Sequence, residues 1–350
     1  MKVLIVGAGI VGASIAWHLA QGGAGVTVLE AERPAFAASG RSFGWINASF
    51  FLNEDHFRLR CAGMAAWRRL AARVPAAAPV WSGALWFEAA GPGLAAMQAD
   101  LARLGYRVGL LEGPKVIAAE PALRAPPAQA LLFPDEGAVD AAAATRALLA
   151  ASGARVLAGT AVRGLIETGG RVSGLRTPMG PLRADHIVIA AGIGSPALLA
   201  PLGLTLPMLP RPGLILRTAP VPFALSHILI APGQEVRQLP GGSLIAPCAA
   251  GHQSDTADRA PEQASAQSAT VERLQALFGQ EIEPAEVLLG HRPVPGDGLP
   301  VIGPALPGLS VAVMHSGVTL AALAGEVIAA GVLGKEAAPV LAPYAIGRFQ

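Results

Sequence analysis

The residues best suited to chemistry stand at the very start of this chain. Gly7, Gly9 and Gly12 form a Gly-x-Gly-x-x-Gly spacing directly after the apolar residues 3–6, and Ile15, Ala16, Leu19 and Ala20 then recur at helical spacing. A second apolar run, residues 26–29, ends in Glu30. Strand, glycine turn, helix, strand and terminal acid in that order is the pattern of a dinucleotide site. Gly7 allows the tight turn, Gly9 lets backbone N–H groups approach a pyrophosphate, and Gly12 lets the helix lie on the strand. The helix N-terminus faces the phosphates, and Glu30 is placed to accept from a ribose hydroxyl.

A second segment with chemical content is 290–303. Asp297 and Gly298 signal a turn, while Pro293, Pro295 and Pro300 stiffen the backbone around the single arginine, Arg292. A guanidinium held in a rigid loop suits a carboxylate, because its planar fork matches that anion. A structural salt bridge would use the same geometry. His315 ends an apolar run and reads either as a ligand contact or as a satisfied core histidine. His227, Arg237 and His252 fall in or beside a strand-rich stretch. Arg237 is a second candidate for the carboxylate, its alternative being a surface arginine on an edge strand. No Ser/His/Asp arrangement and no metal-ligand spacing stands out.

The elements that must position these residues follow from periodicity and turn residues. Residues 1–31 form a βαβ unit, and 37–47 a small polar loop. Helices are expected over 56–74, 93–104, 141–151 and 262–278. Strands are expected at 80–87, 128–134 and 154–157, with a hairpin of 162–167 and 171–176 around Gly169 and Gly170. A buried strand spans 184–192. A β-meander runs over 211–248, a polar loop over 251–261, and the chain from 290 onward reads as loop, strand and helix. Dinucleotide-type pieces thus alternate with strand-rich pieces, which implies two interleaved, discontinuous domains.

Composition sets outer bounds. The chain has 350 residues, enough for two or three domains. Its net charge of +2, with scattered arginines and only three lysines, is no footprint for nucleic acid. Between 306 and 333 the only ionisable residues are His315 and Glu326. That stretch is read as a buried strand and helix rather than a membrane span. The N-terminus lacks the features of a secretory signal. Cys61 and Cys248 make neither a disulfide framework nor a metal motif, which fits a reducing cytoplasm. Internal repeats and a long disordered tail are absent from the pattern.

Three further segments, 184–198, 290–303 and 315–326, together with the opening motif and residues 38–42, resemble the FAD-dependent amine oxidoreductases related to D-amino acid oxidase. The nearer likeness is to the glycine oxidase and sarcosine oxidase branch, and it spans almost the whole chain. The resemblance implies a mixed α/β and α+β fold. An FAD-binding Rossmann-like domain (1–78, 140–205, 288–350) would be interleaved with an antiparallel-sheet substrate domain (79–139, 206–287). It implies an extended FAD, with Gly7, Gly9, Ile10, Val11 and Gly12 at the pyrophosphate and Glu30 and Ala31 at the adenosine ribose. Arg33, Ser39, Gly40, Arg41 and Ser42 would line the phosphates and ribityl chain, Arg33 having the alternative of a solvated side chain. Val162 would meet adenine, and Ala191 and Gly192 would cover the nucleotide. Trp45 and Asn47 would border the isoalloxazine or simply pack. A helix starting near Val318, with Gly317 and Thr319, would aim its N-terminus at the flavin N1–C2=O edge.

In that branch the position of Arg292 holds the substrate carboxylate. The implied reaction is oxidation of a small amino acid or N-substituted amino acid, by hydride transfer to flavin N5 and hydrolysis of the imine, with oxygen or another acceptor reoxidising the flavin. Two departures matter. No cysteine precedes Arg292, so the FAD is expected to be non-covalent. No lysine lies in a matching segment, which leaves open a dehydrogenase that passes electrons to a quinone or partner protein. A flavin-bearing subunit of a hetero-oligomer and a tRNA-modifying flavoprotein are the further alternatives, the latter disfavoured by the missing basic patch. Oligomeric state stays open.

Overall fold

The computed structural model describes residues 1–250, 256–335 and 339–350. Its organising element is a six-stranded sheet. Strands Lys2–Val6, Gly25–Leu29, Arg155–Leu157, His186–Ile189 and Leu309–Val313 run parallel, and Val301–Leu306 closes one edge antiparallel to Leu309–Val313. Both faces are covered, as parallel sheets require. Val3 and Ile5 point into one core and Leu4 and Val6 into another.

Eight α-helices occur among the described residues: α1 (Ile10–Gln21), α2 (Glu54–Arg73), α3 (Pro92–Arg103), α4 (Pro114–Ala119), α5 (Ala141–Ser152), α6 (Ser195–Leu199), α7 (Gln263–Phe278) and α8 (Gly317–Val332). Helix α1 lies between α5 and α8 on the first face of the parallel sheet. A three-stranded sheet, Gly164–Thr168, Arg171–Thr177 and Gly180–Arg183, packs on the other through Val172 and Leu175.

The second large sheet has eight strands, antiparallel except where Ala84–Trp86 pairs parallel with Ile228–Ala231. Alternation divides its residues. Leu214, Leu216, Val236 and Leu244 pack with Leu274 and Phe278 of α7, whereas Ile215, Ile228, Ile230 and Ile245 join the core that contains α1, α2 and α8. Its strands come from residues 84–133 and 212–291, while those of the parallel sheet come from 2–29, 155–189 and 301–313. The chain therefore crosses between the sheets repeatedly.

The structure departs from the sequence reading in several places. Strands Gly109–Glu112, Gly180–Arg183 and Pro284–His291 carry no clear sequence signal. The last lies at a sheet edge with mostly part-exposed residues, so it lacks alternation, and it runs straight through the expected boundary at 287–288. The strand expected at 80–87 is confined to Ala84–Trp86, because Gly83 takes a positive φ of 76°. The membrane-like stretch resolves into strand Leu309–Val313 and α8. Among the described residues no helix is long and apolar enough to cross a membrane. Part of the expected polar loop at 251–261, with His252, lies outside the described residues.

Candidate active site

Parallel strands end on one edge, and that edge collects the segments singled out above. Gly7 follows Lys2–Val6, Glu30 follows Gly25–Leu29, and Ala190 to Gly192 follow His186–Ile189. Residues 314–316 follow Leu309–Val313, and the chain leaving Arg155–Leu157 reaches Val162 through Thr160, whose N–H donates to Glu30 O (2.8 Å). After Lys2–Val6 the chain moves to Gly25–Leu29 on one side, while His186–Ile189 lies on the other. Ligands of such sheets bind in the crevice at this switch point.

The turn there is too tight for side chains. A Cβ on Gly7, whose φ is 106°, would run into Ala190 O, and one on Gly12 would run into Gly7 O. A Cβ on Gly9 would lie 3.1 Å from Ser39 Oγ. Ser39 Oγ accepts from Ile10 N–H (2.9 Å), and Glu30 Oε2 accepts from Ala8 N–H (2.8 Å). Side-chain oxygens from two other segments therefore reach the backbone at this helix start.

The loop that follows curls over the turn. Ala35 N–H donates to Ala8 O (3.0 Å), and Gly40 sits so close to Ala35 O that no Cβ fits. Arg33 and Arg41 bracket the Phe36 ring, at 5.2 and 4.6 Å from its centroid. Phe36 thus gathers two cations on the loop that bonds back to Ala8, Arg33 being exposed. Gly44 N–H donates to Ser42 Oγ (3.0 Å), and a Cβ on Gly290 would lie 3.1 Å from Arg41 Cβ.

At the other end, α8 begins beside α1. A Cβ on Gly317 would sit 3.6 Å from Val11 Cγ2. Gly9, the N-cap of α1, has no side chain, and Ser316, the N-cap of α8, makes no side-chain capping bond. Two helix N-termini that their own N-cap side chains leave uncapped therefore lie close together, with Ile10 N–H taken by Ser39 Oγ instead, and their dipoles favour negative charge there. Thr319 Oγ1 bonds Trp45 O (3.3 Å) and Asn47 N–H (3.4 Å), so the Trp45–Ile46 strand is fixed to the same helix turn.

Beneath this turn lies a buried charged cluster that the sequence reading missed. Glu136 is fully buried and accepts from Trp45 Nε1 (2.9 Å), Tyr106 Oη (2.7 Å), Ser49 N–H (3.2 Å) and Ala48 N–H (3.3 Å). Arg60 is 5% exposed. Its Nε donates to Asn47 O (3.0 Å), its Nη2 to Asn47 Oδ1 and its Nη1 to Ser316 Oγ. Burial pushes the Glu136 carboxyl up to about 7, against the pull of its donors and of the Arg60 charge. Burial likewise brings Arg60 down to about 10 and, with Arg60 nearby, His56 down to about 3. Helical spacing gave the only available signal, since Arg60 falls with His56, Gly63 and Trp67 on the buried face of α2.

The raised Glu136 pKa has a signed consequence. Its contribution to stability is fully present below the ordinary carboxylate range and is lost as pH rises through the folded-state value. We expect the melting temperature of the wild type, relative to Glu136→Gln, to fall as pH goes from about 4.5 to about 7. His56 acts in the opposite direction but is common to both proteins. A difference that stays flat across that window would count against a proton-exchanging Glu136.

The candidate substrate residues occupy the seam between the sheets. Arg292 is half-buried and donates through Nε to Arg211 O (3.2 Å) and through Nη2 to Pro212 O (3.1 Å), with Gly213 opposite its guanidinium. A Cβ on Gly192 would lie 3.8 Å from Pro293, so residues 191–192 and 292–293 are neighbours. Arg237 is no edge-strand surface residue. Its strand, Gln234–Gln238, is interior to the eight-stranded sheet, and the side chain is 6% exposed. Its Nε donates to Phe43 O and its Nη2 to Val139 O, which ties the sheet to the 33–44 loop. His227 pairs instead with the buried Glu120, Nδ1 to Oε1 at 2.8 Å. His315 is half-buried between Leu309–Val313 and α8. Among the described residues no group of His, Cys, Asp and Glu is arranged to hold a metal.

Known proteins show the same design. The family model described as DAO, FAD dependent oxidoreductase, matches residues 2–330. A glycine oxidase of Pseudomonas aeruginosa is 32% identical over 193 residues, 53% of this chain and 52% of that protein. The chain spans about half the length of that relative. A D-amino acid dehydrogenase of Rhizobium johnstonii is 28% identical over 87% of this chain and 88% of its own. The solved glycine oxidase of Geobacillus kaustophilus superposes with a TM-score of 0.86 at 25% identity, covering 99% of this chain and 98% of that one.

Proposed function

Because this chain belongs to the DAO family of FAD-dependent oxidoreductases, we propose that it holds FAD non-covalently and oxidises a small amino acid or N-substituted amino acid at its C–N bond. The observation that carries this reading is the meeting of the glycine turn, the 33–42 loop and the first turn of α8 on one sheet edge, with Arg292 at the adjoining seam. When bound, FAD accepts a hydride from the carbon that bears the nitrogen, and the imine then hydrolyses in water.

The rest is the work of the chain's own residues. Gly7, Gly9, Ile10, Val11 and Gly12 hold the pyrophosphate, and Glu30 and Ala31 the ribose. Val162 meets the adenine, while Ala191 and Gly192 cover the nucleotide. Arg33, Ser39, Gly40, Arg41 and Ser42 line the phosphates and ribityl chain. Trp45, Asn47, Gly317, Val318 and Thr319 border the ring. Arg292 holds the substrate carboxylate, His315 borders the reacting centre, and the eight-stranded sheet forms the far wall. Orientation and exclusion of water are the contributions required of such a site. The cysteines are both free thiols, Cys61 on α2 and Cys248 buried beyond Ser243–Pro247. Neither is near Arg292 in sequence, which supports non-covalent FAD, and the same free thiols suit the cytoplasm.

A dehydrogenase that delivers its electrons to a quinone or partner protein is the second reading. The relatives named D-amino acid dehydrogenase favour it. So does the placement of the lysines. Lys2 is at the far end of its strand from Gly7, Lys115 is in α4 and Lys335 lies beyond α8.

Anaerobic titration with glycine, sarcosine, proline, D-amino acids and longer N-alkyl glycines tests both. Bleaching of protein-bound flavin by a member of this panel supports amino-acid oxidation. Rapid peroxide formation on admitting air then favours an oxidase, and bleached flavin that persists in air favours a dehydrogenase. Failure of every carboxylate-bearing amine to bleach the flavin would remove the substrate class.

A further inference from the structure

The first turn of α8 is gripped by α2 at three points. A Cβ on Gly63 would lie 2.7 Å from Thr319 O, so the helices touch through bare backbone. Trp67 Nε1 donates to Val318 O (2.7 Å). Arg60 Nη1 donates to Ser316 Oγ. Ser316 is one of only two non-glycine residues with positive φ among the described residues, at 58°. An N-cap serine ordinarily accepts from the N–H groups of its own helix. Here the hydroxyl serves Arg60 instead, and the residue is held in a conformation that costs energy.

The charge also needs a reason. Well-packed apolar residues commonly replace a buried ion pair without loss of stability. Yet Arg60 spends Nε, Nη1 and Nη2 on Asn47 and Ser316, with the Glu136 carboxylate close enough to act on its charge. A fixed cation behind a helix N-terminus adds to the positive potential of the helix dipole in a water-poor interior.

We propose that Arg60 is a positioning residue that sets the reduction potential of the bound flavin, by locking Ser316 at the start of α8 and by placing a buried positive charge behind that turn. This rests on the reading that Gly317, Val318 and Thr319 face the flavin. Glu136 tempers the field, so removing either charge shifts the flavin equilibrium in opposite directions.

The test uses purified holoenzyme, wild type beside Arg60→Met, Arg60→Lys and Glu136→Gln, above the Glu136 pKa of about 7. The readouts are the two-electron flavin potential and the affinity for sulfite. Sulfite gives its sulfur lone pair to form an S–N bond at the flavin and leaves the displaced electron pair on the N1–C2=O edge. Arg60→Met is expected to weaken sulfite binding at least roughly tenfold and to lower the potential, about 30 mV for each tenfold in the two-electron equilibrium. Arg60→Lys should recover most of the sulfite affinity. Glu136→Gln should move both readouts the other way.

Flavin retained with both readouts unchanged in Arg60→Met, whatever happens to its melting temperature, would make Arg60 merely structural and overturn the proposal. If Arg60→Met does not fold, unchanged readouts in Glu136→Gln overturn it equally. A wild type that carries no flavin is a different failure: it removes the functional reading first, and this proposal with it.

Discussion

Replacing Arg292 by alanine is expected to lower kcat/KM for a carboxylate-bearing amine by two to four decades while the flavin stays bound. The guanidinium is oriented by two backbone carbonyls, those of Arg211 and Pro212, and Gly213 leaves space beside it. A substrate carboxylate docking there would be enclosed by the seam between the sheets. Removing one partner of a buried charged pair typically costs about 3–5 kcal/mol, and each decade is worth about 1.4 kcal/mol. Arg292→Lys should recover only part of the loss, because a point charge cannot reproduce the fork. An amine analogue without the carboxylate should be much less sensitive. Equal losses for both substrates, or disappearance of the flavin, would mean that Arg292 only pins Pro284–His291 to Pro212–Pro220. Arg237, already buried at the same seam, would be the next residue to test.

The second large effect belongs to Gly12. Its Cα lies against Gly7 O so closely that any side chain must push α1 away from the turn. Overpacking of this kind costs about 1–3 kcal/mol and occasionally more, and a backbone carbonyl has nowhere to retreat. Gly12→Val should therefore weaken FAD binding by about one to two decades, measured by titrating the apoprotein. Gly331→Ala is the control, since nothing lies within 4 Å of a Cβ there. It should leave affinity unchanged and favour the helix slightly. Wild-type affinity in Gly12→Val would show that the α1 N-terminus is not the phosphate site.

Some of this molecule is written locally. The glycine turn is legible because the three glycines, the two flanking strands and the helix between them all fall within a single βαβ unit. Of the contacts that exclude side chains there, only Gly12 against Gly7 O is internal to the unit, while Ala190 faces Gly7 and Ser39 faces Gly9 from outside it. The hairpin around Gly169 and Gly170, the meander and α7 are legible for the same reason, since each declares itself through turn residues and periodicity over a short stretch. Family membership follows from such segments in order.

What the sequence does not contain is which polar residues end up inside. Arg237 reads as surface until its strand is seen to be interior, with a neighbour on each side. Pro284–His291 carries no strand signal because an edge strand needs no apolar alternation. Arg60, Glu136 and Ser316 form one cluster although Arg60 and Ser316 are 256 positions apart. Burial of a charge is tolerable only when partners from other elements arrive together, and their arrival depends on how α2, α8 and the Trp45–Ile46 strand pack. A motif can be read from neighbours in sequence; a buried charge can be read only from its neighbours in space.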